Sequence, residues 1–405
     1  MPGLGISGGG SGGSSGGGGT CTSRAWVRNA DWLAMPDLTD GDNIIYVLSA
    51  VKDGVNNFFS FTSTLTSGTY EVDLYNDSTT VTTHSAGQAD FNLDYSKGTA
   101  EITTDGNAYK QVITKITGNF LYPSFYAKQA SISNAAMSGI LSVKIASQTI
   151  TTLTNCFFSS YAQVLHNRLE ELEYVGTCNA ANIRNLVGNC KSIGKVTGNF
   201  SSATSLQQSF TGSSDVNTDD MDINKSAGYY RQTFNSSAIR QIFNQNFFKG
   251  ATDFNQTFAN ASFLTYMGTP TTPLDFTGGV AMTQGFLNCT GLIHAYFQNC
   301  VPTSLSGTFQ NCSSIQTISS IDCTNLTNST NAFKSCFSLE TLEMSNMGIS
   351  FSLEDCNFNQ AGLVNVFNDL PSATATITVT DNPGTGDLTA ANLLIATNKG
   401  WTVTT

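Results

Sequence analysis

Three stretches repeat one pattern: "GFLNCTGLIHA" (285–295), "TFQNCSSIQTI" (308–318) and "AFKSCFSLETL" (332–342). Each places a Phe, a Cys three residues on, and a Leu or Ile three residues after that. With any apolar residue as landmark, a small residue at plus three and an aliphatic at plus six, the register extends to Val187, Phe210, Phe234, Phe258, Phe286, Phe309 and Phe333. The intervals are 23, 24, 24, 28, 23 and 24 residues. A fixed period of this length signals stacked units that cannot bury their apolar face alone and need neighbours to complete a core. A further, irregular unit is expected to open at His166, with Leu169, Leu172 and Val175 in its aliphatic places. The 28-residue interval contains "GTPTTPLDF", which reads as a bulged loop.

The register assigns the letters. The plus-six position holds Ile193, Val216, Arg240, Leu264, Leu292, Ile315 and Leu339, and plus nine adds Val196, Ile318 and Leu342. Arg240 follows Ile239, so a one-residue slip is expected there. The aliphatics are expected in and behind a strand, which makes the repeat a leucine-rich-repeat solenoid by its period. At ~4.8 Å per unit, seven or eight units give a rod of roughly 35–40 Å. Plus three holds Cys190, Ser213, Ser237, Ala261, Cys289, Cys312 and Cys336. Exchange of Cys with Ser and Ala points to a demand for small size. In-register neighbours ~4.8 Å apart and pointing the same way do not suit a disulfide, so buried thiols are expected. Asn189, Asn260, Asn288 and Asn311 precede several of these positions, with Gly212, Ser236 or Ser335 elsewhere. They read as turn residues bonding exposed backbone, rather than as glycosylation sites in "NCS" and "NCT".

"AFKSCFSLETL" resembles the Ala-Phe-x-x-Cys-x-Ser-Leu-x-x-Ile signature of BspA-like leucine-rich repeats. That family occurs on bacterial surface proteins and in phage structural proteins. The resemblance spans about Thr151–Thr405 and extends to the tail, which is similar to the closing module of such proteins. It implies a short helix, a strand at Thr374–Val379, a turn at "DNPGTG", a helix at Leu388–Thr397 and a last strand at Trp401–Val403. Physically this is a cap over an exposed core end and an open strand edge.

Upstream, short alternating segments sit between polar turns: "NIIYVLSAV", "NFFSFTS", "GTYEVDLY", "TTVTTHS", "AEITT" and "YKQVITKIT". This spacing argues a β-sandwich. "GTYEVDLYNDSTTVT" is similar to a degenerate polycystic-kidney-disease (PKD) module, with Leu74 in place of the usual Trp and Tyr75 and Asn76 where Gly and Asp are usual. Such modules space, stiffen or bind glycans. The expected organisation is a Gly/Ser-rich arm over 1–35, an immunoglobulin/PKD-like sandwich over 36–120, connecting strands over 121–150, the leucine-rich-repeat solenoid over 151–355 and an α/β capping module over 356–405. The whole is mostly β.

Composition narrows the function. Charged residues are 12% of the chain, against about 25% in typical globular proteins. The net charge is −11, with 18 unclustered basic residues against 29 acidic ones. Nucleic acid is therefore excluded as a partner, and an anionic membrane surface is disfavoured. No apolar run reaches the ~20 residues of a membrane helix. The first residues read as a flexible tether rather than a signal peptide.

Chemical motifs are sparse. His84, His166 and His294 lie apart, with no Cys or carboxylate pair at metal-ligand spacing. "DVNTDDMDIN" (Asp215–Asn224) begins like a calcium loop but lacks the glycine at its sixth place and has Ser226 rather than Glu at its twelfth. A solvated turn is the simpler reading. No G-x-S-x-G stands in a strand-to-helix context, and the many serines include no activated one. Glu170, Glu171, Glu173, Glu340 and Glu343 are glycosidase candidates by residue type only. The expectation is no catalytic, cofactor or metal residue, and no enzyme. The expected function is a bacteriophage virion structural protein, a head decoration, fibre or tail appendage, with other virion proteins as partners, homo-oligomerisation and virion localisation. The alternative is a bacterial or phage adhesin binding carbohydrate or protein receptors through the solenoid face. Tyr229, Tyr230, Phe247 and Phe248 are its aromatic candidates, with core packing the competing reading.

Overall fold

The structure is a computed structural model, and it describes residues 27–55, 57–104, 107–126, 139–157, 169–214, 216–218, 221–223, 228–242 and 244–405. The chain begins with nine strands: β1 (Ile44–Val51), β2 (Asn57–Leu65), β3 (Thr69–Asp73), β4 (Val81–Ser85), β5 (Gly87–Leu93), β6 (Thr99–Thr104), β7 (Asn107–Thr117), β8 (Phe120–Tyr126) and β9 (Gly139–Ala146). One sheet runs β9-β1-β7-β3-β4, with β6 also on β7; a second runs β5-β2-β8. Period-2 alternation sends one set of side chains inward. Tyr70 and Val72 of β3 are buried while Glu71 is exposed. Rings from the two sheets meet: Tyr70 of β3 lies edge-on to Phe61 of β2 and to Phe120 of β8, with centroids 5.5 and 5.9 Å apart. The strand β5 was not anticipated, although Phe91 and Leu93 point into this core.

Residues 27–37 fold back over the outer face of the first sheet. Trp32 is buried against Leu48, Tyr109 and Leu141. The buried Gln111 holds the segment at both ends of its amide. Its Oε1 accepts from the Leu33 amide at 2.8 Å, and its Nε2 donates to the Asp31 carbonyl at 2.7 Å. Arg28 pairs with Glu171.

The sheet does not stop at β9. The strand β10 (Glu171–Thr177) pairs parallel with β9, and β11 (Lys195–Phe200) and β12 (Met221–Ile223) follow. The stretch 121–150 thus supplies one strand to each N-terminal sheet, and one of these carries the first coil of the solenoid. The coils continue through β13 (Gln241–Ile242), β14 (Tyr266–Met267), β15 (Leu274–Asp275), β16 (Gly279–Ala281), β17 (His294–Ser304), β18 (Thr317–Asp322) and β19 (Thr341–Ser345). β13, β14, β17, β18 and β19 form one parallel sheet. A second parallel ladder runs through Thr152, Asn182, Ser205, Tyr229, Asp253 and Ala281. The result is a β-solenoid of about nine turns.

The landmark residues stack through its centre. The Phe210–Phe234, Phe234–Phe258, Phe258–Phe286 and Phe286–Phe309 rings are near-parallel with centroids 5.1 to 5.5 Å apart. His166 lies outside the described residues. The coil before Val187 is set by Phe157 instead, whose amide donates to Leu186 and whose ring stacks on Phe125 of β8. Ile239 is buried and Arg240 exposed, as the expected slip requires. The bulge of the long coil turns at Thr269–Thr272, where each residue's amide donates to the other's carbonyl.

Each coil turns on two left-handed residues. Two before the landmark, Asn185, Gln208, Gln232, Gln256, Gln284 and Asn331 have φ of 53° to 60°. Two after it, Asn189, Gly212, Ser236, Asn260, Asn288, Asn311 and Ser335 have φ of 55° to 63°. Asn and Gly accept this conformation most readily, which is why they recur before the small residue. Their amides do more than bond backbone. Asn311 Nδ2 donates to Asn288 Oδ1, and Asn288 Nδ2 to Asn260 Oδ1, each at 2.8 Å. The glutamines repeat the device: Gln208 donates to Gln232, Gln232 to Gln256 and Gln256 to Gln284, at 2.7 to 2.9 Å.

After β19 come β20 (Phe351–Ser352), α1 (Gln360–Asp369), β21 (Ala375–Thr378), α2 (Ala390–Thr397) and β22 (Trp401–Thr404). β20, β21 and β22 are parallel and prolong the second ladder. Asn359 caps α1 and Thr389 caps α2, each accepting from a backbone amide in the first turn. α1 stands where the strand after β19 would be. It buries Leu363, Val366 and Phe367 and closes the core end.

Candidate functional site

Among the described residues, the thiols of the solenoid interior serve packing. The nine described cysteines are all buried and free. At the plus-three position, Cys289, Cys312 and Cys336 donate to the landmark carbonyl of the previous coil at 3.0, 3.0 and 3.1 Å. Burial pushes every described thiol upward, to about 11 at Cys178 and about 12 at Cys323 and Cys356. These are protonated packing residues rather than thiolate nucleophiles or ligands. Among the described residues, no three His, Cys, Asp or Glu side chains gather as a metal site. Asp215, Asp219, Asp220 and Asn224 of the calcium-like stretch lie outside the described residues.

The sequence candidates scatter. Tyr230, Phe247 and Phe248 are core, and the Tyr230 hydroxyl donates to the Phe247 carbonyl at 2.7 Å. Tyr229 alone of that set is exposed. His84 stacks on Tyr70, and burial lowers its pKa. Glu170 is raised by burial. Glu171 is taken up by Arg28 and by Ser142, whose hydroxyl donates to it at 2.9 Å. Glu173 faces Lys144 at 3.6 Å.

Glu340 and Glu343 are placed differently. They line a cleft of about 300 Å³ between β19 and α1, whose far wall includes Asn365, Asn368 and Asp369. Two strands away the same sheet face carries rings. Tyr266 and His294 are directly opposed across β14 and β17, with centroids 5.7 Å apart. His294 and Tyr296 share one face of β17 and stack at 5.7 Å. Between rings and carboxylates, β18 contributes only the small hydroxyl residues Thr317 and Ser319, paired with His294 and Tyr296. The two walls feel each other. Burial lowers the His294 pKa, and the Glu340 carboxylate opposes that. Burial raises the Tyr296 pKa, and Glu343 and Tyr266 add to it. His294 Nδ1 is buried without a hydrogen-bond partner.

Sequence reasoning missed the ring row. Tyr266, His294 and Tyr296 stand at plus eight and plus ten, outside the positions that the core constrains. The signal that could have found them is the strand pairing itself, which brings plus-eight residues of successive coils side by side. No protein-family model matches the chain, and no curated protein and no solved structure matches it either.

Proposed function

We propose that the chain is a non-enzymatic structural protein of a bacteriophage particle, projecting from the head or tail and contacting the host surface. In this reading the two N-terminal sheets are an immunoglobulin/PKD-like sandwich, and the coils are BspA-like leucine-rich repeats. The sandwich and the Gly/Ser-rich arm attach to other virion proteins as a homo-oligomer, and the 356–405 module faces outward. The observation that carries the reading is β9. It pairs with β1 on one side and β10 on the other, so load passes from base to solenoid through backbone hydrogen bonds without a hinge. A projecting element needs that stiffness. The acid excess and the scarcity of charge fit a stable, non-sticky exterior surface.

The test is mass spectrometry of gradient-banded particles with absolute quantification of this chain. A stoichiometric amount supports the reading, with hundreds of copies for a decoration protein and tens or fewer for a fibre. Absence from purified particles overturns it.

A further inference from the structure

The face between β14 and α1 has the form of an open groove with unlike walls. One wall is the Tyr266–His294–Tyr296 row, half-buried at the backs of the rings. The floor is Thr317 and Ser319, too small to fill the space above them. The other wall is Glu340, Thr341 and Glu343, all exposed. Glu340, Thr341 and Glu343 also line the cleft of about 300 Å³ beneath α1, near the lower end of the usual range for small-ligand sites. Upstream, β11 presents Lys195 and Thr197 at the equivalent positions instead of rings.

We propose that this groove binds a neutral or amino-sugar oligosaccharide, with sugar rings laid against Tyr266 and Tyr296 and hydroxyls donated to Glu340 and Glu343. The inference deepens the host-contact part of the function proposed above and rests on that reading for its biological setting, though not for its chemistry. The electron-rich ring face takes up the weakly positive C–H face of a pyranose. Carboxylates accept from hydroxyl or ammonium donors, and a pair of them beside Asn365 and Asn368 suits a polyhydroxylated chain. Charge sets the class. Three carboxylates at the groove and a net charge of −11 repel uronic and sialic acids.

The experiment is a glycan array with the full chain, followed by titration calorimetry with chitotetraose, maltohexaose and hexagalacturonate as defined probes. Binding of at least one neutral or amino-sugar oligomer is expected. Tyr296→Ala and Glu343→Gln are each expected to weaken it tenfold or more, while Tyr229→Ala, on another ladder of the solenoid, leaves it unchanged. Should Tyr296→Ala fail to fold, Tyr266→Ala replaces it. Binding of acidic glycans only, no glycan binding at all, or equal affinity in wild type and Tyr296→Ala overturns the proposal. Because the assay uses the isolated chain, its failure leaves the particle measurement standing, and the reverse also holds.

Discussion

Cys312 donates its thiol to the carbonyl oxygen of Phe286, one coil upstream, at 3.0 Å. The contact joins two features of the repeat, the aromatic landmark and the small residue after it, across coils rather than within one. Cys289 on Phe258 and Cys336 on Phe309 repeat it. Where the position holds Ser213, the hydroxyl turns back to the Phe210 carbonyl of its own coil at 2.7 Å. Ala261 fills the same position with no donor, and Ser237 Oγ makes no hydrogen bond there, so the position asks for small size before it asks for a donor.

Cys312→Ala is expected to cost about 1 kcal/mol, the worth of a weak buried hydrogen bond. Cys312→Leu is expected to cost about 1–3 kcal/mol by overpacking. Urea denaturation of the three proteins checks the order.

The same burial makes stability depend on alkaline pH. A thiol whose folded pKa is raised stabilises fully below its unfolded value, ordinarily 9.0, and that contribution is lost as pH rises through the folded value. The window runs from 9.0 to about 11 for Cys178 and to about 12 for Cys323 and Cys356. The melting temperature is expected to be insensitive to the thiols at pH 7 to 8 and to fall above pH 9. Iodoacetamide at pH 8 should leave the nine described cysteines unlabelled until denaturant is added, as peptide mass spectrometry reads directly.

Turn residues give a backbone test. Ser236 sits at φ 55°, where a Cβ is unfavourable. Ser236→Gly should leave stability level or raise it by up to about 1 kcal/mol, and Ser236→Val should lower it by about 1–2 kcal/mol. Thermal melts of the pair separate strain from lost packing, since Ser236 is exposed.

Two adjacent tyrosines should behave oppositely. Tyr230→Ala is expected to cost about 3–5 kcal/mol, and Tyr230→Phe about 1 kcal/mol through the lost bond to Phe247. Tyr229→Ala, at 57% exposure, should fall within about 0.5 kcal/mol of wild type. Chemical denaturation of the three variants decides it.

The N-terminal strap hangs on Gln111. Gln111→Ala removes both amide contacts to Asp31 and Leu33. Hydrogen exchange should then accelerate across residues 27–35, with little change in the solenoid coils. Unchanged exchange there would mean that Trp32 packing and the Arg28–Glu171 pair suffice.

The solenoid was legible because its core repeats. Phe258, Phe286 and Phe309 recur with the small and aliphatic residues that their neighbours demand, and period alone located the coils. The cap elements fell close to their expected places, since Asn359 and Thr389 are ordinary helix starts and "DNPGTG" an ordinary turn. What the sequence hid follows the same logic in reverse. The 30-residue step from Phe157 to Val187 breaks the period, so the first coil went to His166. The glutamine ladder escaped because Gln is unremarkable in sequence, and only the positive φ of Gln208, Gln232 and Gln256 reveals its role. The Tyr266–His294–Tyr296 row is built by pairing between strands, which no single coil records. The strap over the N-terminal sheet depends on contacts with Gln111 and Glu171, far along the chain.

The central claim is a stiff rod anchored by its N-terminal sheets and presented outward by its C-terminal end. The most direct measurement is cryo-electron microscopy of phage particles with and without a globular protein fused after Thr405. The account predicts a slender projection of roughly 40 Å of coils, at ~4.8 Å per coil, with extra density at its outer tip in the fusion. Extra density flush with the particle wall, or particles that lack the projection altogether, would contradict it.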